Sequence, residues 1–308
     1  MAEVDLDLDR VSQAAAAIPG CFVQTPQYRS EALSRLLGVE VVLKVETASP
    51  TGTVASRGAE WWFENHPHVH RVVCASADDF GTAMAFAGRS RNIDVELFGP
   101  IDADPGKVET LRHAGTIVRL DGRDADEARA EAQRYSAVVD GLFVDDGGHI
   151  ELVEGAATLG AELEQLPGSL DAVFVPIGRG SLAHGVGAWC HQRMPRTRVV
   201  GVGAERAPGT VHSVREGRLM PSPVVPGAAS EMSVSAPAAP FVVSLSDALD
   251  DTTLVSDRHL EQAGAALLRY EGIRVSTDGA ASLAAAALAA PAIPGASVVV
   301  LVTGRLVG

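Results

Sequence analysis

Short apolar runs alternate with helix-length segments along most of this chain. Seven of them have the length and β-branched content of buried strands, and they lie at residues 71–76, 94–99, 115–120, 141–145, 171–177, 198–203 and 297–302. Helical patterns lie at residues 9–18, 29–38, 151–164, 257–270 and 279–290. Such alternation predicts parallel sheets joined by right-handed crossovers. We therefore expect an α/β protein with parallel-rich sheets flanked by helices.

The length of the chain allows two lobes. It has 308 residues, 46% of them hydrophobic, which is enough for a large core. Four of the apolar runs fall within residues 70–148, which we interpret as a small lobe inserted into a large lobe of residues 1–69 and 149–308. Residues 217–245 contain five prolines and are expected to cross the surface as irregular chain.

Charge and composition exclude several classes of partner. The formal net charge of −14 argues against nucleic acid and anionic membranes. No run of about 18 apolar residues is present, and the acidic start at residues 1–5 is unlike a signal peptide. Cys21, Cys74 and Cys190 are far apart in apolar contexts and are expected to be buried thiols. We expect a cytoplasmic protein.

The histidines lack metal-binding spacing, so no metal site is predicted.

One stretch has the form of a strand, a turn and a helix start. The apolar run at residues 41–46 precedes a turn containing Pro50 and Gly52, and a helical pattern follows from about residue 56. Thr53 or Ser56 is expected to supply the N-cap oxygen of this helix. Residues 49–59 read Ser-Pro-Thr-Gly-Thr-Val-Ala-Ser-Arg-Gly-Ala.

This order of residues resembles the signature of the threonine and serine dehydratases, which are fold-type II pyridoxal phosphate (PLP) enzymes. In that family a Lys-x-Glu strand is followed by Pro-Thr-Gly-Ser-Phe-Lys-x-Arg-Gly-Ala, and the second lysine forms the Schiff base with the cofactor. Ala55 stands at that position here, where a methyl group cannot condense with an aldehyde. The two lysines of this chain, Lys44 and Lys107, lie where the family has lysines that do not form the Schiff base. The resemblance implies a two-lobed architecture like that of the tryptophan synthase β subunit.

A glycine-bearing turn follows the apolar run at residues 171–177. Gly178, Arg179, Gly180, Ser181 and Leu182 correspond to the family's run of four glycines, which binds the PLP phosphate. Such a turn can aim backbone N–H groups and a helix N-terminus at one anion. Arg179 either adds a charge-assisted bond to a bound anion or fills the phosphate site with its own side chain.

Two further segments match cofactor contacts of the family with changed residues. Asp78 and Asp79 lie where the family has glycine and an asparagine that contacts the PLP ring oxygen, which a carboxylate would repel. The other interpretation is that one of these aspartates caps the following helix. Thr303 keeps a hydroxyl expected near the pyridine nitrogen, whereas Arg305 replaces a glycine and is expected to project into the pocket.

The leading hypothesis is a dehydratase-like pseudoenzyme or binding protein. Thr53, Ala55, Arg57, Asp78, Asp79 and Arg305 are predicted to line its pocket, and three arginines (Arg57, Arg179 and Arg305) to favour a small anionic or phosphorylated ligand. One alternative is an enzyme, a lyase or an isomerase, that reuses the cleft for other chemistry, and another is an active ammonia-lyase in which lysine was changed to alanine. The resemblance implies a homodimer, and the pseudoenzyme hypothesis adds pairing with an active relative as the other expectation for partners.

Overall fold

The computed structural model describes residues 6–225, 232–239 and 242–306. The strands of this part of the chain are β1 (Gln27–Ser30), β2 (Glu40–Val45), β3 (Arg71–Cys74), β4 (Asp94–Gly99), β5 (Ile117–Leu120), β6 (Leu142–Val144), β7 (Ala172–Pro176), β8 (Arg198–Ala204), β9 (Asp251–Val255) and β10 (Ser297–Val302). Its α-helices are α1 (Leu8–Ala17), α2 (Glu31–Leu37), α3 (Ser56–Asn65), α4 (Asp79–Arg89), α5 (Pro105–His113), α6 (Ala125–Val138), α7 (Ile150–Leu163), α8 (Ser181–Arg193), α9 (Gly209–Glu216), α10 (Val242–Asp247), α11 (Asp257–Glu271) and α12 (Ala281–Ala289).

The larger sheet has six strands in the order β1-β2-β10-β7-β8-β9. All of its pairs are parallel except the antiparallel pair of β1 and β2. Alternate residues of β10 pack on opposite faces: Val298 and Val300 join one apolar cluster with α11 and α12, while Val299 and Leu301 join another with α7 and α8. Because side chains alternate along a strand, this burial explains why β10 is apolar at every central position.

The smaller sheet has four parallel strands in the order β5-β4-β3-β6. All four lie between residues 71 and 144, and the chain enters from α3 and leaves into α7. Trp62 and Phe63 of α3 pack with Met84 of α4 against this sheet. The α/β class and the parallel-rich sheets predicted from the alternation of strands and helices are therefore confirmed. The lobe boundaries stay a prediction.

Several local predictions are corrected by the structure. Residues 27–30 form an edge strand rather than irregular chain and the start of a helix, because their backbone pairs with β2. The segment 217–245 is not wholly irregular, since α10 begins within it; residues 226–231 and 240–241 lie outside the described residues. Cys21 is exposed, whereas Cys74 and Cys190 are buried as expected. Within the described ranges, no helix has the length and apolar character needed to cross a membrane.

Candidate functional site

A cavity of about 100 Å³ lies where several strands end. Pro176 at the end of β7 and Thr303 just beyond β10 contribute to its wall, and so do residues at the starts of α3, α4 and α8. The carboxyl ends of parallel strands and the helix N-termini that follow them are the usual ligand-binding edge of α/β sheets. We call this cavity the cleft.

Ala55 lies in the cleft wall immediately before the first residue of α3. The Thr53 hydroxyl accepts a hydrogen bond from the backbone N–H of Ala55 at 3.2 Å, and Val54 N–H donates to the carbonyl of Thr303 at 3.0 Å. The prediction that Thr53 or Ser56 is the N-cap of α3 is wrong, because the N-cap is Ala55, whose side chain makes no capping bond. The backbone is thus fixed and directs a methyl group to the cleft.

Arg57 belongs to a buried ion network and does not line the cleft, which corrects its predicted place in the pocket. Its Nε donates to Glu46 at 2.8 Å and its Nη1 donates to Glu162 at 2.6 Å. Lys44 pairs with the same Glu162 and donates to the Thr25 carbonyl at 2.8 Å. Two cations therefore meet two carboxylates in the interior, as buried charges require.

The glycine turn is part of the cleft, but Arg179 turns away from it. Gly178, Ser181 and Leu182 line the cleft, and Gly180 precedes α8 with φ of 121°, a backbone angle that favours glycine. The Arg179 guanidinium pairs with Asp145 at 2.9 Å, and its Nε donates to the Asp146 carbonyl at 3.1 Å. Neither sequence-based expectation for Arg179 is met, since it neither fills the turn nor faces a ligand there.

Asp146 lines the cleft beside this turn and was not found by sequence reasoning. Burial raises the pKa of Asp146, while the neighbouring Ser181 side chain opposes the rise. The sequence did contain a signal that could have identified Asp146 as a site residue. Asp145 and Asp146 follow directly after the parallel strand β6, and ligands bind at the carboxyl ends of such strands.

Asp79 lines the cleft at the start of α4, whereas Asp78 precedes the helix and pairs with Lys107. Asp78 is the N-cap residue by position, but its side chain makes no capping bond, so the capping interpretation is corrected. The Lys107 ammonium lies 3.7 Å from the Asp79 carboxylate. Burial raises the pKa of Asp79 to about 6, although Lys107 opposes that rise.

Arg305 is exposed and does not line the cleft, which corrects its predicted projection into the pocket. Its backbone N–H donates to the Gly52 carbonyl at 2.8 Å. Its side chain packs so closely on Gly52 that a Cβ there would lie 2.8 Å from Nε. The predicted convergence of Arg57, Arg179 and Arg305 therefore does not occur.

The charged residues lining the cleft are acidic. Three aspartates contribute, namely Asp79, Asp146 and Asp278, and no lysine, arginine or histidine of the described residues does. Hydroxyl groups come from Thr53, Ser181 and Thr303, and most of the remaining wall is apolar. No group of His, Cys, Asp and Glu within the described residues has the arrangement of a metal site.

The raised pKa of Asp79 predicts that the free energy of unfolding depends on pH. Its folded pKa of about 6 exceeds its ordinary value of 3.8, so its contribution to stability is present below pH 3.8 and is lost as the pH rises through 6. Asp79→Asn should therefore gain about 1 kcal/mol relative to the original chain between pH 5 and pH 8. Urea unfolding at both pH values measures this, with the exposed Asp94→Asn as the control. An equal difference at both pH values would contradict the assignment.

Comparison with known proteins places this chain in a family. The family described as pyridoxal-phosphate dependent enzyme matches residues 19–304. The chain belongs to this family. It is 30% identical over 266 residues to an L-threonine ammonia-lyase of Geobacter sulfurreducens, covering 85% of this chain and 66% of that protein. It is 28% identical over 287 residues to an L-threonine ammonia-lyase of Thermotoga maritima, covering 92% of this chain and 71% of that protein.

The fold of a solved family member is closely similar. The processed form of threonine deaminase isoform 2 from Solanum lycopersicum superposes with a TM-score of 0.86 at 23% identity, covering all of this chain and 87% of that chain. These matches confirm the threonine and serine dehydratase-like family and the fold-type II architecture. The chain spans only about two thirds of the length of the first of the two ammonia-lyases.

The residues of the cleft do not fit PLP held as a Schiff base. No lysine lines the cleft within the described chain. The ammonium of Lys44 forms an ion pair with Glu162, and that of Lys107 forms one with Asp78. The Asp146 side chain lies at the glycine turn, where a phosphate would need N–H donors free. We therefore derive no catalytic step through this cofactor.

Proposed function

We propose that this chain is a pseudoenzyme of its family, binding a small molecule in the cleft without Schiff-base chemistry. The observation that supports this most directly is Ala55, which presents a methyl group at the start of α3 where the family signature has its reactive lysine. Only a primary amine can exchange with an amino acid substrate at that place. Because Asp79 stands where the family has an asparagine in the same cleft, the difference from the family pattern is not confined to one residue.

We expect no covalent PLP adduct on either lysine. The chain is incubated with one equivalent of PLP, reduced with borohydride and digested for mass spectrometry. Peptides containing Lys44 and Lys107 should be unmodified, because neither ammonium lines the cleft and both are held by carboxylates. A pyridoxyl group on either lysine at near one equivalent would sink the proposal. Ala55→Lys incubated with unphosphorylated pyridoxal serves as the control that the reduction detects an amine in the cleft.

The proposed ligand is a neutral or cationic small molecule. The expected preference for anions rested on the helix N-terminus at the turn and on three arginines converging near it, and none of these arginines lines the cleft. Carboxyl groups at Asp79, Asp146 and Asp278 instead favour an ammonium or hydrogen-bond donors, with apolar contacts to Phe80 and Leu152. Thermal-shift comparison of matched amines and carboxylic acids tests this preference, which stabilisation by the acids alone would contradict.

One observation favours a second candidate, an enzyme that reuses the cleft. Asp79 has a pKa of about 6 and faces the cleft, which suits a group that accepts or donates a proton near neutral pH. An enzyme would lose turnover in Asp79→Asn while ligand binding is retained, whereas a binding protein would show no turnover to lose.

Cytoplasmic location and a homodimer, or a pair with an active relative, stay predictions, and light scattering tests the assembly.

A further inference from the structure

The loop after β6 is held against the glycine turn by three contacts. The Arg179 guanidinium pairs with Asp145 at 2.9 Å, and Arg179 Nε donates to the carbonyl of Asp146 at 3.1 Å. The backbone N–H of Gly147 donates to the Ser181 hydroxyl at 2.7 Å. Ser181 is the first residue of α8, so the loop is bonded directly to the start of that helix.

Gly147 shows how closely the two backbones approach. Its φ is 74°, and a Cβ added there would lie 2.6 Å from the carbonyl oxygen of Arg179. Any other residue would have to push the loop away from the turn, so glycine is what this contact requires. The approach leaves Asp146, the preceding residue, with its carboxyl group in the cleft wall beside Ser181.

We infer that the Asp146 carboxyl group occupies the anion position at the start of α8, so that the cleft excludes phosphorylated ligands. The Ser181 hydroxyl accepts from the Gly147 N–H at 2.7 Å, which holds Asp146 beside the first residue of α8 in the cleft wall, and Ser181 opposes the rise in the pKa of Asp146. A helix N-terminus attracts an anion because its first N–H groups are unpaired and its dipole is positive there. An internal carboxyl group at that place meets this preference without a ligand.

This inference rests on the proposed function and deepens it by naming the class of ligand refused. A phosphate ester, PLP included, would have to displace the partly buried Asp146 side chain from the cleft wall beside Ser181. A ligand without a phosphate group can use the rest of the cleft, including Thr53, Asp79 and Thr303, with Asp146 left in place. Arg179, beside the turn, then binds the loop after β6 and does not bind a ligand.

The test is to remove the Asp146 side chain and measure binding of inorganic phosphate. Asp146→Ala opens the position, and we expect about 2 to 4 °C of added melting temperature at a phosphate concentration near ten times the dissociation constant. The original chain should show no shift. Asp146→Asn keeps the size and hydrogen bonds of the side chain and should also show none. Asp79→Ala enlarges the cleft away from the turn and is the control for added space.

Isothermal titration with phosphate and with unphosphorylated pyridoxal then separates the turn from the rest of the cleft. Phosphate binding that appears in Asp146→Ala alone supports the inference. Binding by the original chain, an equal gain in Asp146→Asn, or no gain in a folded Asp146→Ala would each overturn it. The borohydride result is independent of these outcomes, so occupancy of the turn can fail while the absence of Schiff-base chemistry stands.

Discussion

Arg57→Ala is expected to lose about 3 to 5 kcal/mol of the free energy of unfolding, because it leaves buried carboxylates without their cation. Arg57 is fully buried and donates to Glu46, Thr158 and Glu162. Burial alone would raise the pKa of Glu162, but hydrogen bonds from Arg57 and Lys44 outweigh it and the pKa is lowered. The substitution removes the larger of these two stabilising partners.

Urea unfolding followed by far-ultraviolet circular dichroism measures this loss. The matched control is Arg35→Ala, whose exposed guanidinium lies 3.9 Å from Glu31 one helical turn away and should change stability by less than about 0.5 kcal/mol. If Arg57→Ala loses no more than Arg35→Ala, the network does not stabilise the fold and Arg57 must be assigned another role. If the variant cannot be purified folded, Arg57→Lys, which keeps the charge, should recover part of the stability.

The Ala55→Lys variant is expected to show no measurable release of 2-oxo acid from threonine or serine. Lysine at this position restores an amine at the start of α3, but Asp146 still lines the cleft beside the glycine turn and Asp79 still stands at the asparagine position. A misplacement of about 1 Å can cost on the order of a hundredfold in rate, so one restored group is not sufficient. Restoring the lysine thus leaves Asp79 and Asp146 unchanged in the cleft.

The informative comparison is Ala55→Lys alone against Ala55→Lys with Asp79→Asn and Asp146→Ala. We expect measurable release of 2-oxo acid from the combined variant only. Adding Arg179→Gly tests the original expectation that this arginine crowds the turn, and the observed pairing with Asp145 predicts no benefit. Strong activity from Ala55→Lys alone would mean that the cleft is otherwise intact and that lysine was replaced in an active ammonia-lyase.

The sequence by itself determined the central strands of both sheets and the edge at which the cleft lies. Strands and helices are specified by local patterns, since a buried parallel strand must be apolar on both faces, as β10 is. The positions of Ala55, Asp79, Gly178 and Thr303 follow from the same logic, because each lies directly after a strand or at the start of the next helix. Short or mixed strands such as β1 and β9 were missed, because their few residues lack a period.

Only the tertiary structure decided which charged groups face the cleft. Arg57 and Glu162 are 105 residues apart, and Asp146 meets Ser181 only because the loop after β6 packs on the turn before α8. The sequence places an arginine near a site but does not say which carboxylate it pairs with, and that choice depends on contacts between distant segments. Pairing with Glu46, Glu162 and Asp145 therefore removed two predicted arginines from the cleft, and the same packing left Asp146 there.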